Sequence, residues 1–207
     1  MTYVDGECIV LDGNHYTIGN SKFVRVTRVL SIIRSKWLEQ WRGNLGNEEA
    51  DRIRYEAGDL GTEFHQLCYA YNRGEQPFIP REYIDMFDAY LRWFEACIGR
   101  IVECETTTVS RKYGYAGTFD LRAVLKGDTI PSVIDIKTSN NIQPQMALQL
   151  AAYRTALLEE GKETNRRLIV RVDKMKKGQL SVKEYTDHHR DLVAFLSALN
   201  LWKYFNL

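Results

Sequence analysis

An α/β fold built on a central mixed sheet is what this sequence predicts, and three observations predict it. Apolar residues recur at helical spacing through much of the first hundred positions, then switch to strict alternation near residue 101. Three alternating runs then follow one another to residue 137, and a helical stretch rich in Ala, Leu and Gln separates them from two more. The chain has 207 residues, 44% hydrophobic and 27% charged, which is the size and make-up of one domain that buries its core without staples. One domain over 1–207 is expected, with a hairpin and helices in 1–100 and the sheet core and last helix in 101–207.

Each element has a local reason. Residues 7–26 alternate around the turn signals Asp12-Gly13 and Gly19-Asn20, which predicts short strands (ECIVL, HYTI, FVRV). Thr27 is placed to cap a helix carrying Leu30, Ile33, Trp37 and Trp41, stopped by Gly43-Asn44. Asn47 is placed to cap a second, running to about residue 72 with Ile53, Ala57, Leu60, Phe64, Leu67 and Tyr71 inward. After a loop at 74–80, Ile84, Phe87, Leu91, Phe94 and Ile98 predict an amphipathic helix over 81–99. Strands follow at 101–109, 117–125 and 132–137. The turn Lys112-Tyr113-Gly114-Tyr115 joins the first two, and Lys126-Gly127-Asp128 follows the second. A helix over 143–161 ends at Gly161. Strands at 168–173 and 180–185 form a hairpin around Lys176-Lys177-Gly178. Residues 187–206 make the last helix, with Leu192, Leu196, Leu199 and Trp202 inward.

Charge and cysteine usage narrow the classes. Net charge is +1, but residues 1–105 carry 12 basic and 17 acidic groups while 106–207 carry 16 and 10, so a polyanion would meet the second half. No apolar run reaches the ~18 residues of a membrane span, and the acidic, polar start resembles no leader, so a cytoplasmic protein with no membrane partner is expected. Cys8, Cys68, Cys97 and Cys104 show no CxxC spacing, which argues against a zinc ribbon or an iron–sulfur cluster and for buried thiols.

Carboxylates recur on consecutive strands. Period 2 puts Val133, Asp135 and Lys137 on one face of the strand SVIDIK. A carboxylate there can hold a hard cation, and a lysine beside it can orient water or neutralise charge on a phosphate. Asp120 lies on the preceding strand, opposite the face of Phe119, Leu121, Ala123 and Leu125, and could share a metal with Asp135 if the strands pair. Glu103 and Glu105 share a face one strand earlier. Taken singly these residues are ordinary: a lone D-x-K is commonly a surface ion pair, and His65 or the Gln149/Tyr153 pair is commonly packing.

Taken together, GTEFH (61–65), ECE (103–105), GTFD (117–120), IDIKTS (134–139) and QLAAY (149–153) resemble the RecB-like branch of the PD-(D/E)XK nuclease superfamily. VTRVL (26–30) and WLEQW (37–41) are similar to the lead-in of phage exonucleases and the mitochondrial genome maintenance exonuclease. The resemblance implies a metal-dependent nuclease with Mg²⁺ or Mn²⁺. It makes His65, Asp120, Asp135 and the carbonyl of Ile136 the metal ligands, and Lys137 the catalytic lysine. Gln149 and Tyr153 support the site and the DNA strand, and Glu105 fits the upstream glutamate better than Glu103. It implies no iron–sulfur cluster here, because the cysteine set is absent.

DNA, single-stranded or at ends, is the implied partner, in repair or recombination and beside replication or recombination proteins, in a bacterial or phage-infected cell. Arg111, Lys112, Tyr113, Tyr115, Thr138 and Arg154 are the candidate DNA contacts. Lys174, Lys176 and Lys177, and Arg25, Arg28, Arg34, Lys36 and Trp37 on an entry side, are further candidates. An endonuclease of the same core and a DNA-binding module without catalysis stay open as alternatives.

Overall fold

The computed structural model describes residues 3–4, 7–33, 40, 43–174, 176 and 178–206, with side chains described at all of these except 3, 4, 7, 8, 54 and 57. Strands β1 (Tyr3–Val4), β2 (Glu7–Asp12), β3 (His15–Ile18) and β4 (Ser21–Arg25) lead into the short helix α1 (Val26–Leu30). Two long helices follow, α2 (Asn47–Asn72) and α3 (Ile84–Cys97), the second entered through a 3₁₀ turn at Arg81–Tyr83. The strands β5 (Ile98–Ser110), β6 (Tyr115–Leu125) and β7 (Ser132–Lys137) form a meander. Helix α4 (Gln145–Glu159) then crosses over to β8 (Arg167–Val172), and β9 (Leu180–Glu184) and α5 (His188–Asn206) complete the order.

Among the described residues nine strands join one mixed sheet. Along it run β1, β2, β3, β4, β6, β7, β8 and β9, with β5 on the other edge of β6. β7 and β8 pair in parallel, as a helical crossover requires, and β8 and β9 pair antiparallel. The N-terminal hairpin is therefore part of the sheet: β4 runs parallel to the start of β6, at Val24↔Tyr115 and Arg25↔Ala116. β7 pairs with the same strand farther on, at Leu121↔Ile134 through Ala123↔Ser132. Since β5 occupies one edge of β6, β4 and β7 share the other and leave a fork between them at residues 117–120.

Helices cover both faces. One core lies under α1, α4 and α5 and includes Val29, Phe119, Val133, Leu150, Tyr153, Ile169, Phe195 and Trp202. The other lies under α2 and α3 and includes Phe64, Cys68, Met86, Tyr90, Leu121, Ile134, Ile136 and Val170. A smaller cluster, Tyr16, Ile18, Phe23, Val109 and Ala116, seats the hairpin. Among the described residues no helix is long and apolar enough to cross a membrane.

Element by element the sequence reading needs several corrections. α1 begins at Val26 with Arg25 as its cap and no side-chain cap bond, so Thr27 lies inside the helix. Residues 43–45 are helical, and the break comes at Gly46, whose φ of +83° caps α2 in place of Asn47. On α3 Met86, Phe87, Tyr90 and Trp93 are buried, Leu91 and Phe94 pack half-buried against the same core, and Ile84 is exposed. The helix stops at Cys97 because Ile98 already pairs with Leu125. On α5 Leu199 and Trp202 are buried as read, Phe195 and Ala198 join them, and Leu192 and Leu196 are half-buried, Leu196 against the same core. Of the thiols, Cys68 is buried and Cys97 and Cys104 are half-buried. Trp37, Trp41, Arg34, Lys36, Lys177 and most of the WLEQW segment lie outside the described residues, as does the side chain of Cys8.

At the base of α5, burial and the charges of Arg154, Arg167 and His189 push the His188 imidazole down to about 4. Its ordinary value is 6.5, so between about pH 6.5 and 4 the unfolded chain binds more protons than the folded one. Stability should fall as pH drops through that window. His188→Gln should flatten this slope, read as urea midpoints at neutral pH and at about pH 5.

Candidate active site

The fork in the sheet positions the site. Asp120 sits where β6 has left β4 and has yet to meet β7, so Ile136 N–H donates to the carboxylate (Oδ2, 2.5 Å) instead of to a strand carbonyl. β6 also changes layers here. Tyr115 and Phe119 face the core under α4 and α5, whereas Leu121, Ala123 and Leu125 face the core under α2 and α3. The four alternating residues Phe119 to Leu125 are all buried, but in two cores rather than on one face.

Opposite Asp120, between the pairs Cys104↔Leu121 and Thr106↔Phe119, stands Glu105. Its φ of +46° is the one positive value at a described residue other than glycine. A side chain in that region costs about 1–3 kcal/mol, and the surrounding ladder holds it there.

Four elements converge on the fork. α2 brings His65, whose Nδ1 lies 3.5 Å from Asp120 Oδ1. One donor atom each from His65, Glu105 and Asp120 fall within 4.8 Å of one another. On β7, Lys137 Nζ lies 2.6 Å from Asp135 Oδ2. From α4, Gln149 Nε2 donates to Asp135 Oδ1 (3.1 Å) and to the Tyr153 hydroxyl (2.9 Å). Asp135 is almost fully buried, whereas His65 and Lys137 are about a quarter exposed, so one side opens to solvent.

The electrostatics are those of crowded carboxylates. Burial raises the Glu105 carboxyl to about 7, with the charge of Asp120 adding to it. Burial also raises Asp135 to about 6, against the pull of Lys137 and with the push of Asp120. At Asp120 burial works the same way, but His65 and Lys137 outweigh it and hold the group below its ordinary range. Burial opposes the His65 imidazolium, and Asp120 overcomes it, so that group is raised. A site with this surplus of negative charge and one imidazole among its donors fits a divalent cation taking mixed oxygen and nitrogen ligands.

Two glycines of the motifs have steric reasons. A Cβ on Gly117 would stand 2.4 Å from Cε1 of Tyr153, so only glycine lets that ring lie against β6. Gly117→Ala should cost about 1–3 kcal/mol and displace Tyr153, visible as a lower denaturation midpoint together with impaired activity. A Cβ on Gly61 would stand 3.2 Å from the Thr138 hydroxyl, which packs the segment after Lys137 onto α2.

The two upstream glutamates part company. Glu103 accepts from Arg122 and from Lys162, both at 2.9 Å, while Arg122 also donates to the Glu163 carbonyl. This ties β5 and β6 to the loop after α4. Glu105 alone joins His65 and Asp120. Glu103→Gln should therefore lower stability by about 1 kcal/mol or less and spare divalent-ion affinity, whereas Glu105→Gln should weaken that affinity at least tenfold by titration calorimetry.

The candidate DNA contacts scatter. Tyr115 is fully buried and donates to the Ala152 carbonyl (2.9 Å), so it packs the core rather than stacking a base. Tyr113 stacks on it and is half-buried. Arg154 is bound through Nε to the Thr164 carbonyl (2.9 Å), and Thr138 is buried. Arg111 and Lys112 are exposed, over the rings of Phe23 and Tyr113. The sequence reading passed over Tyr16, whose hydroxyl joins Thr118 and through it Thr107, each at 3.0 Å. Only the packing of the hairpin on β6 reveals that link.

No family model matches the chain, and no curated protein matches it. Among solved structures it is similar to a protein of Eubacterium rectale provisionally named an exonuclease. That match has 10% identity and a TM-score of 0.48, over 68% of this chain and 64% of the other. This chain therefore spans under two thirds of that protein's length. It is also similar to the protein named SSO0001, with 14% identity and a TM-score of 0.45, over 93% of this chain and 78% of the other.

Proposed function

We propose that this chain is a metal-dependent deoxyribonuclease of the PD-(D/E)XK type, acting as an exonuclease on single strands or DNA ends. The observation that carries the reading is one solvent-open site on a mixed sheet where His65, Glu105 and Asp120 gather beside the pair Asp135–Lys137. His65, Glu105 and Asp120 would hold a Mg²⁺ or Mn²⁺ ion, with Asp135 and the Ile136 carbonyl the further candidates. Such an ion supplies Lewis acidity to the scissile phosphate and a lower pKa to bound water.

The chain's own groups do the rest. Asp135 holds the Lys137 ammonium at a fixed point, where it can orient the attacking water and offset charge growing on the phosphate. Gln149, locked between Asp135 and Tyr153, fixes the carboxylate that fixes the lysine. The exposed Arg111 and Lys112 sit about 20 Å along β6 from Asp120, within reach of a strand that continues past the site.

The test is cleavage of end-labelled single-stranded, double-stranded and circular DNA with Mg²⁺, Mn²⁺ or chelator. Metal-dependent shortening of linear strands with circles intact is the expected result. Cut circles would make it an endonuclease, and binding without cleavage in any metal would make it a DNA-binding module.

A further inference from the structure

Arg171 takes no part in the site described above, and no motif singled it out. On β8 it lies in register beside Lys137. Its side chain reaches past the strand into the connection between Lys137 and α4. Nη1 donates to the carbonyls of Asn140 (2.8 Å) and Ser139 (3.3 Å) and contacts Asp173 Oδ2 (3.0 Å). Nε donates to Ser181 Oγ on β9 (3.2 Å). The connection itself, residues 138–144, is neither strand nor helix. It is packed on one side by Thr138 against Gly61 of α2 and tied on the other by Arg171.

This short connection has two site residues depending on it. Lys137 is the last residue of β7, and Gln149 stands on the second turn of α4. A shift of the connection would move the lysine against the glutamine, although both must meet the same Asp135 carboxylate. The carbonyls of half-buried Ser139 and exposed Asn140 share this one donor, which ties the segment to β8 at these points. The guanidinium sets Nη1 against both carbonyls and the carboxylate while its Nε reaches Ser181 on β9, a planar span that a single ammonium cannot cover.

We propose that Arg171 is a positioning residue for the proposed nuclease reaction, clamping the 138–142 segment so that Lys137 and Gln149 converge on Asp135. The proposal rests on the nuclease reading for its kinetic consequence and on geometry alone for the clamp, so the two are tested separately.

The clamp is tested by amide hydrogen exchange on the full chain, and the consequence by steady-state cleavage of an end-labelled single-stranded oligonucleotide with Mn²⁺. The variants are Arg171→Met, Arg171→Lys and Ser181→Ala. Arg171→Met should speed exchange at residues 138–142 and lower kcat on the order of ten- to a hundredfold with KM little changed, the signature of a misplaced group rather than a lost contact. Arg171→Lys, which keeps a charge beside Asp173, should recover part of kcat. Ser181→Ala removes the β9 contact only and should leave kcat and exchange at 138–142 as in wild type. Unchanged exchange in Arg171→Met overturns the clamp. Faster exchange with unchanged kcat overturns the positioning role, and so does an equal loss of kcat in Ser181→Ala, which would place the effect in the hairpin. A wild type inactive on every DNA sinks the nuclease reading instead, and exchange still decides the clamp.

Discussion

Asp135→Asn should lower kcat by about 10³-fold or more while the protein stays folded. The substitution keeps the shape of the side chain and an oxygen for Gln149, but it removes the charge that holds Lys137 at 2.6 Å. Two losses therefore coincide: the carboxylate itself, and the anchor of the ammonium. Lys137→Met should cost about as much, and the double variant little more than either single one, because the two groups act as a unit. The measurement is single-turnover cleavage beside a thermal melt. A folded Asp135→Asn protein that cleaves at the wild-type rate would remove this carboxylate from the chemistry. Asp135→Ala is the harsher change, since it leaves Lys137 and Gln149 without their common partner, and its melt should show the difference.

The largest effect on stability should come from Asp191→Ala. Arg167 is 1% exposed, lies on β8 beneath α4 and α5, and meets Asp191 at 2.9 Å. Its Nη1 also donates to the Ala147 carbonyl at 3.2 Å, so one guanidinium ties the sheet to both helices. Removing the carboxylate strands a buried positive charge, which costs about 3–5 kcal/mol. For a chain of this size that is a fall in Tm of about 10 °C. Arg167→Met combined with Asp191→Leu should recover most of the loss, because it removes the charge together with its partner. Equal melting of wild type and Asp191→Ala would mean that the pair is solvated and weak.

Much of this molecule was legible in one dimension. The period-2 runs at 117–125 and 132–137 mark β6 and β7 within two residues, because an alternating strand covered by helices needs apolar residues at fixed intervals. Glycine turns were legible for the same kind of reason: Gly114, Gly127 and Gly161 have positive φ, which side chains resist. Helix caps were read less well. Thr27 and Asn47 had the right chemistry, but the extended backbone of Arg25 and the positive φ of Gly46 decided where the helices begin. Of the apolar residues predicted for α3, Phe87, Leu91, Phe94 and Ile98 do meet the core, but Ile84 does not, and only the core itself shows that Tyr90 and Trp93 enter it as well.

The candidate site divides along the same line. Residue types and spacing placed Asp120, Asp135 and Lys137 on neighbouring strands, since the chemistry of a carboxylate beside a lysine is local to one strand, and the family resemblance added His65, Gln149 and Tyr153. The resemblance preferred Glu105 to Glu103, and the structure supplies a physical reason: Arg122 and Lys162, distant in the chain, bind Glu103, while His65 and Asp120 stand beside Glu105. The burial of Tyr115, the fork that frees Asp120 from the ladder and the reach of Arg171 to Asn140 were likewise beyond any local pattern. By itself the sequence determined which segments are strands and helices and which side chains are candidates for chemistry, because period and residue type act over a few positions. Only the tertiary structure decided which strand edges meet, since β4 joins β6 at Val24↔Tyr115 and Arg25↔Ala116, positions brought together by packing rather than by nearness in the chain.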